Sequence, residues 1–81
     1  MALLPGVLAE LRRHGLEPGP DDDPAALRER LNDLYLVEVR RLRERQRAGE
    51  IPLRHYAGRV DALKRSYPLL GLPLAAWTER G

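Results

Sequence analysis

Leucines recur at helical spacing in three stretches of this chain, and the breaks between the stretches fall at glycine and proline. Leu4, Leu8 and Leu11 share a face, Pro5 stands where a missing first-turn N–H costs little, and Gly15 follows. This spacing predicts a helix over residues 4–14. The next run, GLEPGP, holds two glycines and two prolines and reads as a connector in which Leu16 can act as a pin. Asp23-Pro24 is then a start signal: the carboxylate can accept first-turn N–H groups, and proline suits the first helical position. No breaker appears until Gly49, so a helix over 24–48 is predicted, about 36 Å long at 1.5 Å per residue. Ile51-Pro52 opens a third helix, over 52–67 with Leu53, Tyr56, Ala57, Val60, Leu63 and Tyr67 as its apolar stripe and Ile51 packing back as a hydrophobic staple would.

The long helix has an unusual middle. Leu27, Leu31, Leu34, Tyr35 and Leu42 form one stripe, but Leu36 and Val37 lie outside it, so over LYLVEV the helix is apolar nearly all the way round. Such a helix is covered on more than one side. Residues 68–81, PLLGLPLAAWTERG, are also apolar, without a period because Gly71 and Pro73 interrupt them. This tail docks either on its own bundle or on a partner. The expected architecture is therefore a single all-α domain, a small three- to four-helix bundle with one long central helix, assembled as a dimer.

Composition removes most chemistry. The 81 residues include no Cys, two His (His14, His55), one Ser (Ser66) and one Lys (Lys64). Thiol nucleophiles, iron–sulfur clusters, disulfides and cysteine-bearing zinc sites are thereby excluded within one chain. Ser66 lies beside Lys64, Arg65 and Tyr67 with no base at a telling spacing, and no P-loop or nucleophile elbow exists. No catalytic residue, cofactor site or metal site is expected, and the chain is read as a non-enzyme. The start has no positive region, and Pro5 and Glu10 interrupt a short apolar stretch, which predicts a cytoplasmic protein with no membrane association. Thirteen Arg to one Lys, with one each of Asn, Gln and Met, suit a thermophile.

The net charge of +2 conceals a division: residues 1–39 carry a net −4 and residues 40–81 a net +6. Helix electrostatics accounts for much of it, since acids at a helix start and bases at its end both suit the macrodipole. Asp21, Asp22 and Asp23 fit that role better than a cation loop, because Pro24, Ala25 and Ala26 break the ligand pattern such a loop needs. His14, at the end of the first helix, suits the dipole there, and His55 reads as a surface residue. The arginines of RRLRERQR spread around the helix, with Glu44 three or four residues from Arg40, Arg41 and Arg47. Glu38 falls within the apolar stripe, where it either takes an Arg or His partner or reaches out to solvent.

The run from Leu42 to Leu63, LRERQRAGEIPLRHYAGRVDAL, resembles the SHOCT-type helical hairpin, a short two-helix module. Gly49, Ile51, Tyr56 and Leu63 stand where that family has its Gly, Ile, aromatic and Leu; Pro52 replaces its Thr or Ser cap, and Leu53 and Arg54 replace its acids. The resemblance implies an oligomerisation or interaction role and no catalysis.

Together these features predict a noncatalytic protein–protein interaction or assembly module, a helical homodimer whose contact includes Leu36, Val37, Glu38, Leu74 and Trp77. Two alternatives stay open. One is a small nucleic-acid-binding protein using Arg40, Arg41, Arg43, Arg47 and Arg54; the other is a regulatory adaptor subunit of a larger enzyme.

Overall fold

The structure is a computed structural model that describes residues 2–79. Among them the regular elements are helical throughout: α1 (Pro5–Arg13), α2 (Pro24–Arg47) and α3 (Leu53–Arg65), followed by two 3₁₀ turns, Pro68–Gly71 and Leu74–Trp77. The helices start and stop where the breakers stand, shortened by a residue or two. Pro52 is the cap of α3 and not its first turn, with an extended backbone and no capping side chain. At the other end Pro68 disfavours helical backbone in the residue before it, so Ser66 and Tyr67 close α3 with tightened bonds to the Leu63 and Lys64 carbonyls.

Two helix ends use one device. The Leu16 N–H reaches back to the Leu11 carbonyl at 2.9 Å and the Gly15 N–H to that of Arg12 at 2.9 Å. At the end of α2 the Glu50 N–H bonds the Arg45 carbonyl at 2.9 Å and the Gly49 N–H that of Gln46 at 3.1 Å. Both caps turn through a left-handed glycine, with φ of +81° at Gly15 and +84° at Gly49. Each is also bridged by an arginine and a glutamate five residues on, Arg12 with Glu17 and Arg45 with Glu50. A Cβ at either glycine would meet open space, so the left-handed backbone alone sets the cost of a side chain. Gly49→Ala is expected to lose about 1 kcal/mol in a urea titration, and Gly49→Asn less, because asparagine tolerates this conformation.

The chain forms two compact units. The first combines residues 1–32 with residues 69–81; the second is residues 33–68, and α2 runs through both. Val7, Leu11, Leu16, Leu27, Leu31, Leu69 and Trp77 are buried in the first unit, with Leu11, Leu31 and Trp77 at 0% exposure. The tail is tied down there by backbone bonds as well as by burial. Leu4 N–H donates to the Trp77 carbonyl and Glu79 N–H to the Ala2 carbonyl, both at 3.0 Å, forming an antiparallel bridge between Leu3 and Thr78. The Arg28 guanidinium donates to the Leu70 carbonyl at 3.3 Å.

The second unit is an α2–α3 hairpin with a thin interior. Only Ile51 and Tyr67 are buried in it, and α3 itself buries no residue. Ile51 takes the position of a hydrophobic staple, just before the Pro52 cap and five residues ahead of half-buried Tyr56. Leu53, expected in the α3 stripe, is 72% exposed; as the first residue of the helix it lies one turn short of the half-buried run Tyr56, Val60, Leu63.

Candidate functional site

The second unit carries a cleft of about 390 Å³ along the α2–α3 seam, lined by Glu38, Arg41, Leu42, Arg45, Arg59, Ala62, Leu63 and Ser66. Each helix presents four positions spaced i, i+3, i+4 and i+7, which is the spacing that places side chains on one face of a helix. Leu42, Ala62 and Leu63 supply the apolar part, and three guanidiniums and one carboxylate surround it.

Glu38 is fixed at one end of the cleft. The buried Tyr67 hydroxyl donates to Glu38 Oε2 at 2.8 Å, and the Tyr67 ring meets Tyr35 edge-on, with centroids 5.4 Å apart and planes at 67°. The partner of Glu38 is thus a tyrosine hydroxyl and not an Arg or His; as a residue it stays exposed, so reaching toward solvent and pairing occur together. Arg45 pairs with Glu50 at 3.1 Å, both side chains more than half exposed. Arg41 and Arg59 have no ion pair among the described residues.

A second cleft, of about 610 Å³, lies in the first unit and is acidic. Pro20, Asp21, Asp22, Asp23, Pro24, Leu74, Ala75, Thr78 and Glu79 line it. Two of its carboxylates are engaged by the backbone: Asp22 accepts the Gly19 N–H at 2.7 Å, and Asp23 caps α2 by accepting the Ala25 N–H at 3.2 Å. Among the described residues no group of three His, Cys, Asp or Glu side chains is placed to hold a metal ion.

The residues expected at a partner contact separate. Leu36 and Val37 are each 40% exposed on α2, outside the seam. Leu74 is half-buried and lines the acidic cleft. Trp77 is corrected: it is wholly buried in the first unit of its own chain, because two 3₁₀ turns and the Leu3–Thr78 bridge fold the tail inward. Arg40, Arg41, Arg43, Arg47 and Arg54 are all exposed and unpaired among the described residues, and of these Arg41 alone lines the cleft. Glu44 forms no ion pair there, whereas Arg45, its neighbour, reaches past the helix end to Glu50.

The cleft does not coincide with the run of arginines on α2. Arg59 and Ser66 belong to it although they lie beyond the turn, and Arg40, Arg43 and Arg47 lie outside it although they are adjacent in sequence. The signal was present as two matched spacings, 38-41-42-45 and 59-62-63-66, which a search for clustered charge passes over. Among the described residues no helix is long and apolar enough to cross a membrane. No protein-family model, curated protein or solved structure matches this chain.

Proposed function

We propose that this protein is a noncatalytic interaction module that assembles as a homodimer through its α2–α3 hairpin. The observation that carries this reading is the thin interior of the second unit: α3 buries no residue, while Leu36 and Val37 stay 40% and Leu53 72% exposed. Apolar side chains left at a surface are stabilised when a second surface covers them, at roughly 25 cal/mol per Å². A second copy is the occupant we favour, because Leu36 and Val37 of one chain can meet the same pair on another across a two-fold axis. The resemblance of residues 42–63 to an oligomerising hairpin module points the same way.

Sedimentation velocity tests the proposal. The native chain should sediment at about twice its 9.2 kDa mass. The double variant Leu36→Glu, Val37→Glu should sediment as a monomer with its helical circular dichroism retained, since both positions are already part-exposed. A native chain that stays monomeric up to about 1 mM would overturn the homodimer.

A further inference from the structure

The α2–α3 seam is polarised along its length. Tyr67, just past the end of α3, bonds to Glu38 of α2. One turn from that bond toward the Gly49 connection, α2 presents Arg41 and Leu42 and α3 presents Leu63 and Ala62. One turn further lie Arg45 and Arg59. The end of the cleft nearer the connection therefore holds two guanidiniums, its middle sets Arg41 beside the apolar Leu42, Ala62 and Leu63, and its far end holds the tyrosine-bound carboxylate and the Ser66 hydroxyl.

Like charges across a helix seam repel, and an anion seated among them removes the repulsion. Arg41 and Arg59 have no acidic partner among the described residues. Arg45 has only Glu50, a pair more than half exposed on both sides and hence weakly held. We propose that this cleft binds the phosphate group of a small molecule, with Arg41, Arg45 and Arg59 as its anion contacts and Leu42 and Leu63 beneath the rest of the ligand.

Phosphate fits these contacts better than carboxylate does. Three forked guanidiniums offer more donors than the two oxygens and single charge of a carboxylate can use, whereas a phosphate presents three acceptor oxygens and up to two charges. The volume of about 390 Å³ falls within the range of small-molecule sites. Glu38 at the far end acts as a polarity marker: it repels a second phosphate and accepts from a hydroxyl or amine on the ligand. The apolar residues on which the proposed dimer rests, Leu36, Val37 and Leu53, lie outside the lining of this cleft.

Amide NMR titration of the full chain with pyrophosphate, and in parallel with a short single-stranded oligonucleotide, tests the assignment. Saturable shifts are expected at the Arg41, Arg59 and Leu63 amides with pyrophosphate. Arg41→Gln and Arg59→Gln, both exposed and without an ion pair among the described residues, should fold and weaken the apparent affinity about tenfold each. Arg43→Gln, outside the cleft, should change it by less than about twofold. The proposal is overturned by the absence of saturable shifts at about 10 mM pyrophosphate. It is equally overturned if Arg43→Gln weakens binding as much as Arg59→Gln, or if the oligonucleotide saturates these amides and pyrophosphate does not.

Discussion

Trp77→Ala is expected to destabilise the protein by about 3–5 kcal/mol, followed by circular dichroism in a denaturant titration. That is a large share of the roughly 5–15 kcal/mol that holds a typical domain folded. Trp77 is the largest fully buried side chain, and its carbonyl accepts the Leu4 N–H, so the truncation leaves a cavity where the tail meets the start of the chain. The same residue supplies its own control. Among the described residues the indole Nε1 is buried with no hydrogen-bond partner, a desolvated donor that costs about 1–3 kcal/mol. Trp77→Phe removes that donor while keeping most of the apolar volume, so the two effects offset and the variant should lie within about 1 kcal/mol of the parent. Equal stabilities for the Ala and Phe variants would show that packing of the indole is not what holds the tail.

Tyr67→Ala should have the second largest effect, about 3 kcal/mol, and it should be local. Tyr67 is one of two buried residues in the second unit, and it combines the edge-on contact with Tyr35 and the bond to Glu38. Hydrogen exchange followed residue by residue is the suitable readout. Protection should fall across α3 and the adjoining part of α2, while the α1 amides keep theirs, because the core of the first unit does not include Tyr67. Tyr67→Phe keeps the ring pair and loses the hydroxyl bond to Glu38, for about 1 kcal/mol given the exposure of Glu38. Uniform loss of protection through both units would show that they open together.

Both predictions turn on residues whose roles the sequence left open. Trp77 was legible as apolar and in need of cover, but whether it covers its own chain or a partner depends on where Gly71 and Pro73 let the tail turn. Tyr67 was legible as the last member of the α3 stripe; Pro68 takes it off the helix, and the freed ring then reaches both Tyr35 and Glu38. Leu53 illustrates the opposite error. Its spacing matched the stripe, yet the stripe needs a facing helix, and the first residue of α3 has none close enough to bury it.

The elements themselves could be read without the fold. Their positions follow from local steric rules: Pro5 and Pro24 at helix starts, left-handed Gly15 and Gly49 past helix ends, and Asp23 as a cap that accepts an N–H from its own first turn. Such effects act within a few residues and need no tertiary partner. The all-helical class and the long middle helix come from the same reasoning, whereas Leu36 and Val37, expected under cover, are each 40% exposed. What only the tertiary structure decided are pairings between distant residues: the tail bridged to Leu3, the division of α2 between two units, and Arg59 set opposite Arg45 across a shared cleft. A helical pattern states which face a residue occupies but not what meets that face, and here the meeting of faces decides both the core and the candidate site.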